Sequence, residues 1–164
     1  MTAIYIICGF SSIQLLRELS SYIYLLVFVG AWITDIFAYF TGMLFGKHKL
    51  CEAVSPKKTV EGSIGGTLFC ALAFVVFGFI TLNKNAEIWK YLILAASGLI
   101  ISAVSQIGDL SMSLIKRHYG IKDFGKIFPG HGGMLDRFDS IIAVSIVLFI
   151  LISTLNTFNI NIFI

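Results

Sequence analysis

Apolar residues run in long blocks along this chain instead of alternating with polar ones. Three blocks are long enough to cross a bilayer: about residues 21–45, 64–82 and 140–158. A fourth, about residues 88–107, is interrupted only by Lys90 near its start. A spanning helix needs roughly 20 mostly apolar residues. These lengths are too great for strands and no strand-like alternation is present, so each block predicts an α-helix. The expected fold class is all-α: a polytopic transmembrane helical bundle of about four full spans plus a partial N-terminal helix. It forms a single membrane domain over residues 1–164. Residues 1–10 are apolar but too short to span, and they lack the basic start of a signal peptide. They read as the last half of a helix whose beginning is missing.

Polar residues gather between the blocks. Asn83-Lys84-Asn85 is a short external turn, whereas the loops over about residues 46–62 and 109–139 are dense in Gly, Lys, Asp and Glu. The composition agrees with lipid as the solvent: 57% hydrophobic residues, 13% charged and a mean hydropathy of +0.91. The net charge of +3 says less than its placement. Of the 12 Lys and Arg, Lys47, Lys49, Lys57 and Lys58 precede the second long span, and Lys116, Arg117, Lys122, Lys126 and Arg137 precede the last. This bias places both long loops on the cytoplasmic face. The basic residues lie among acids and glycines, not in a tract, which argues against nucleic acid as a partner. Cys8, Cys51 and Cys70 form no CxxC and no disulfide framework, and read as ordinary apolar thiols.

Three polar constellations interrupt this picture. Asp35 lies inside the first long span, where a charge is costly and usually faces a polar interior. On a helix it shares a face with Tyr39, Gly42 and Gly46, and Gly42/Gly46 form a GxxxG suited to close packing. The bland alternative is that Asp35 only pairs with a basic residue on a neighbouring helix. The second constellation is Ser55-Pro56-Lys57-Lys58-Thr59-Val60-Glu61-Gly62. Ser55 as an N-cap with Pro56 at the first helical position predicts a helix start whose free amides suit an anion. Lys57 and Lys58 beside it form a phosphate-binding surface, or else lysines that touch anionic lipid.

The third constellation is the richest. It runs from Gln106 and Asp109 through Ser113, Lys116, Arg117, Lys122 and Asp123 to His131, Gly132, Gly133, Asp136, Arg137 and Asp139. If the helix continues past Ile107, then Asp109, Ser113 and Lys116 share one face. Asp136 and Asp139, three apart, share another at the entry of the last span. Carboxylates at membrane depth among lysines and arginines suit a magnesium–polyphosphate site, because Mg²⁺ takes one or two carboxylates and completes its shell with phosphate oxygens and water. Glycines let backbone approach phosphate closely. His131 has no second His at metal spacing, which argues against zinc.

The run from Ser113 to Asp139 resembles the signature of the CDP-diacylglycerol synthases (phosphatidate cytidylyltransferases): S-x-hydrophobic-K-R, four residues, K-D-x-G, then P-x-H-G-G and D-R-x-D. Every fixed position is present. The segment from Asp35 to Lys47 and the S-P-K-K-T-x-E-G segment are similar to the family's other polar motifs. The resemblance covers about Leu19 to the C-terminus. Members of the family usually carry several more hydrophobic helices before the first long span. A truncated product, a fragment or one half of a split enzyme is therefore expected.

The resemblance implies transfer of CMP from CTP to phosphatidate, with release of pyrophosphate, at a bacterial cytoplasmic membrane. It implies Mg²⁺, with room for a second cation, held by Asp109, Asp136 and Asp139 and supported by Asp35. Lys116, Arg117 and Arg137 join Asp109 and Asp136 as the catalytic set. Ser55, Lys57, Lys58, Glu61, Lys122, His131, Gly132 and Gly133 are the implied substrate-binding set. The bilayer is the expected environment, and a homodimer is a candidate assembly. The alternatives are a non-catalytic or split piece of such an enzyme, or a CTP-dependent membrane lipid kinase, which would transfer the γ-phosphoryl group. A transporter would carry polar stripes through several spans, yet the third and fourth are nearly free of charge away from their cytoplasmic ends.

Overall fold

A computed structural model describes residues 2–51, 54–82, 87–121, 124, 135–158 and 160, excluding the side chains of Thr2, Pro56, Asp136 and Arg137. Five helices account for most of these residues: α1 (Thr2–Leu19), α2 (Leu25–Phe45), α3 (Val60–Thr81), α4 (Ile88–His118) and α5 (Leu135–Thr157). Four of them carry segments long and apolar enough to cross a membrane, over Leu25–Phe45, Val60–Thr81, Ile88–His118 and Phe138–Thr157. The chain is an integral membrane helical bundle.

The predicted partial N-terminal helix is longer than its apolar run. It continues past Phe10 to Leu19, taking in Arg17 and Glu18, and packs along α5. There the hydroxyl of Ser145 donates to the carbonyl of Gly9 at 2.9 Å. The four spanning helices pack in the order α2–α3–α4–α5. Their shared core contains Leu26, Val27 and Ala31 of α2, Cys70 and Phe74 of α3, Leu94 and Ile101 of α4, and Val144 and Leu148 of α5. Lipid supplies no hydrophobic force between helices, so close approach of small residues matters. The buried residues of α3 recur every four positions: Gly62, Gly66, Cys70, Phe74 and Gly78. A Cβ at Gly66 would lie 2.7 Å from the Thr34 carbonyl oxygen of α2. Gly42 serves the same contact from the other side, since a Cβ there would lie 2.7 Å from Thr59 Oγ1. Gly46, its GxxxG partner, caps the end of α2 instead of lying within it.

The segment between α2 and α3 departs from the all-helical expectation. Residues Lys49–Cys51 (β1) and Ser55–Thr59 (β2) form an antiparallel hairpin, with Lys49 opposite Thr59 and Cys51 opposite Ser55. Ser55 and Pro56 therefore do not start a helix. Proline, which has no N–H to give a ladder, is tolerated in a short edge strand of this kind. The N-cap of α3 is Thr59, in extended conformation, whose Oγ1 accepts from the Gly62 amide at 3.1 Å. The amide of Val60 is taken by the His48 carbonyl at 2.9 Å. The amides of Val60 and Gly62, at the helix start that does form, are thus occupied by the chain itself.

At 31 residues, α4 is about 46 Å long, against about 30 Å of hydrocarbon. It continues beyond Ile107 as the shared face of Asp109, Ser113 and Lys116 requires, and its last turns extend past the apolar layer. The loop expected from residue 109 accordingly begins only after His118.

Candidate active site

The inward face of α4 changes character along its length. Leu94 and Ile101 give way to Ser102, Ser105 and Gln106, all buried, and then to Asp109. Spacings of four and three put Ser102, Gln106 and Asp109 on one line. The same transition occurs on α2, from Leu26 and Val27 to Asp35, and on α5, from Val144 back to Ser140 and Asp139. All these transitions lie at the end of the bundle that carries the hairpin. They enclose a cavity of about 420 Å³ lined by Trp32, Asp35 and Tyr39 of α2, Ser55, Lys57, Lys58 and Thr59 of β2, Ser63 of α3, Gln106 and Asp109 of α4, and Asp139 and Ser140 of α5.

Its centre is electrostatic. Lys58 is ion-paired with Asp109, and the two side chains are 25% and 27% exposed. The Lys58 ammonium is buried, and beyond this pair it has no hydrogen-bond acceptor among the described residues. Asp139 is 7% exposed, and its Oδ1 accepts from the Ser140 amide at 2.7 Å. The carboxylate of Asp109 is its immediate neighbour, and Lys116 acts on it electrostatically. Asp35 feels the charges of both Lys58 and Asp109. Two adjacent carboxylates repel unless a cation neutralises them, while an ammonium with unused donors attracts a further anion. Among the described residues no three His, Cys, Asp or Glu side chains form a self-sufficient metal cage. The paired Asp109 and Asp139 suit Mg²⁺, which takes few protein ligands and fills its shell with phosphate oxygens and water.

The structure therefore brings Asp35, Ser55, Lys57, Lys58, Asp109 and Asp139 together on one cavity. Lys116 stands just beyond it, with its ammonium 5.5 Å from the centre of the Phe124 ring, and Arg117 is exposed at the end of α4. Glu61 is not part of the lining. Its Oε1 meets His48 Nδ1 at 2.7 Å, which fastens the base of the hairpin to the first turn of α3. Asp136 lies in the first turn of α5, one turn before Asp139, as does Arg137; their side chains lie outside the described residues. Lys122, Asp123, His131, Gly132 and Gly133 also lie outside the described residues.

Ser63 and Ser140 line the cavity without belonging to any charged motif. A signal for Ser63 was present: Ser63 and Thr67 on one span, and Ser102 and Gln106 on the next, are polar pairs four residues apart in otherwise apolar helices.

Residues 1–155 match the model of a family described as the cytidylyltransferase family. Proteins named phosphatidate cytidylyltransferase from Staphylococcus saprophyticus and Staphylococcus haemolyticus are 44% and 43% identical to the chain over 144 residues. The protein of that name from Staphylococcus aureus strain COL is 44% identical over 144 residues. In each case the match covers 88% of this chain and 54% of the relative. The chain thus spans about half the length of the curated relatives it matches.

Proposed function

The chain belongs to the cytidylyltransferase family, and on that premise we propose that its cavity transfers CMP from CTP to phosphatidate, giving CDP-diacylglycerol and pyrophosphate. The observation that carries this reading is the Lys58–Asp109–Asp139 cluster, which sets a buried, incompletely satisfied ammonium beside paired carboxylates.

The chemistry needs little from a general base. A phosphate monoester has a second pKa of about 6, so phosphatidate is largely dianionic at neutral pH. One of its phosphate oxygens attacks the α-phosphorus of CTP, and the α–β anhydride bond breaks with its electron pair leaving on pyrophosphate. The barrier lies in bringing anions together and in the charge that builds on the leaving group, so positioning and neutralisation dominate. Lys57 and Lys58 reach the cavity from β2 and would bind phosphate oxygens there. Lys116, Arg117 and Arg137 would extend the same positive field from the ends of α4 and α5. Asp109 and Asp139 would hold Mg²⁺, with Asp136 joining them and Asp35 in support. That ion would neutralise and orient the polyphosphate. Trp32 and Tyr39, 58% and 64% exposed on the spanning helix α2, place an amphipathic wall between this polar floor and lipid. One substrate is a lipid and the other is water-soluble, so a cavity at the cytoplasmic end of the bundle gives access to both.

The test is isotopic. Protein in phosphatidate-containing vesicles with Mg²⁺ is given CTP labelled at the α- or the γ-phosphate. Label from the α-position should enter lipid, with pyrophosphate released. Entry of γ-label instead would identify a lipid kinase and overturn the reading.

A further inference from the structure

Gln106 is an amide buried to 8% exposure in a membrane-spanning helix, and both its nitrogen and its oxygen are hydrogen-bonded. Its Nε2 lies 3.2 Å from the Ser63 carbonyl oxygen, 3.1 Å from Thr67 Oγ1 and 3.2 Å from Ser102 Oγ. Its Oε1 accepts from the Ser63 hydroxyl. The network closes on itself, because Ser102 donates to Thr67 at 3.2 Å and Thr67 donates to the Ser63 carbonyl at 2.9 Å. Both N–H donors of Gln106 are thus engaged within the protein, and its Oε1 is held by Ser63, although the residue lines the cavity.

Its place in the fold gives this network a use. Gln106 precedes Asp109 by one turn on the same face of α4. Ser63 follows the Thr59 cap by one turn of α3, and the strand ending at that cap carries Lys58. The Gln106–Ser63 link and the Lys58–Asp109 pair are therefore neighbouring rungs joining the same two parts of the chain. Elsewhere α3 and α4 meet through apolar and small groups such as Leu94 against Gly78, contacts that define no single height of one helix against the other. Hydrogen bonds with fixed donors and acceptors do define one. We propose that Gln106 is a positioning residue that sets the height of α4 against α3 and so holds Asp109 opposite Lys58. As a contribution to catalysis this rests on the CMP-transfer reading; as a structural device it does not.

Interhelical hydrogen bonds in membranes contribute little to stability on average, so register is the larger expected loss. A slip of one residue moves Asp109 by about 1.5 Å along the helix axis. Misplacement on that scale costs roughly 100-fold in rate.

The variants are Gln106→Met, which keeps size but removes the amide's hydrogen bonds, Gln106→Ser, and the exchange Ser63→Gln/Gln106→Ser, which returns the amide from the opposite helix. Spin labels at Ile64→Cys on α3 and Leu114→Cys on α4, both exposed, report helix register by electron–electron distance measurement. The background has Cys8, Cys51 and Cys70 replaced by alanine. Gln106→Met and Gln106→Ser should shift or broaden the label separation while the melting temperature changes little, and the exchange should restore it. Turnover should fall roughly 100-fold in Gln106→Met with the KM for CTP little changed, as expected for lost positioning instead of lost binding. The exchange should recover most of that turnover. An unaltered separation in Gln106→Met, or an exchange that restores neither separation nor turnover, overturns the proposal. Should the unsubstituted protein transfer no CMP, the functional reading fails, and the label separation alone still decides the register proposal.

Discussion

Lys58, next to the last residue of β2, is ion-paired with Asp109 of α4, and the two side chains are 25% and 27% exposed. Such a pair stands between a surface bridge, worth at most about 1 kcal/mol, and a buried one, whose breakage costs about 3–5 kcal/mol. It does more than join two elements. It brings a hairpin lysine to the carboxylate that lies beside Asp139 and within electrostatic reach of Asp35. Lys58 is paired with one member of a cluster of three carboxylates, Asp35, Asp109 and Asp139, whose mutual repulsion a further cation would relieve.

Asp109→Asn and Asp139→Asn keep the shape of the side chain and remove the charge that a divalent cation needs. Each is expected to lower the rate of CMP transfer at least about 100-fold, or ~2.7 kcal/mol of transition-state stabilisation. If both carboxylates act through one ion, as proposed, the double variant should be scarcely worse than either single one. Initial rates across a magnesium titration check this. Near-normal turnover with an unchanged magnesium midpoint in either single variant removes the metal assignment.

The same contact bears on the expected membrane orientation. The Lys58–Asp109 pair places the hairpin and the C-terminal end of α4 at one end of the bundle, and the excess of basic residues there predicts the cytoplasmic face. Cysteines introduced at Lys57 and at His118, in a background without the native cysteines, should both resist an impermeant thiol reagent added outside intact cells. Both should react once the cells are opened. Labelling of either from outside defeats this orientation.

The cap of α3 distinguishes two readings of one motif. Thr59→Ala removes the side-chain acceptor of the Gly62 amide and should cost about 1 kcal/mol of stability. Ser55→Ala lies in the strand and should leave helix stability unchanged. Thermal unfolding in detergent separates the two. Equal or reversed losses would return the helix start to Ser55.

Helix approach can be tested at Gly66, where an added methyl would meet the Thr34 carbonyl at 2.7 Å. Backbone cannot swing aside as a flexible side chain can, so α2 and α3 must separate. Gly66→Ala is expected to destabilise by about 1–3 kcal/mol, the usual cost of overpacking. A melting temperature equal to that of the unsubstituted protein would show that the two helices are less closely seated.

The amino-acid order alone determined that the chain is a membrane helical bundle, because burying a backbone in lipid leaves a long apolar run almost no alternative to helix. It also announced the site's chemistry, since Asp35 and Asp109 in apolar spans are tolerated only where something polar receives them. Six of the motif residues, Asp35, Ser55, Lys57, Lys58, Asp109 and Asp139, share one cavity. Tertiary structure alone decided the rest. Whether Ser55 starts a helix or pairs in a strand depends on a partner, Cys51, that local propensity does not register. Glu61 reads as a substrate ligand in its motif and is drawn instead to His48 across the hairpin base. Gln106 carries no charge to mark it in the sequence, and its meaning appears only when α3 places Ser63 and Thr67 within hydrogen-bond reach. Local pattern reports the cost of putting a group in lipid; which group meets it depends on how the helices pack.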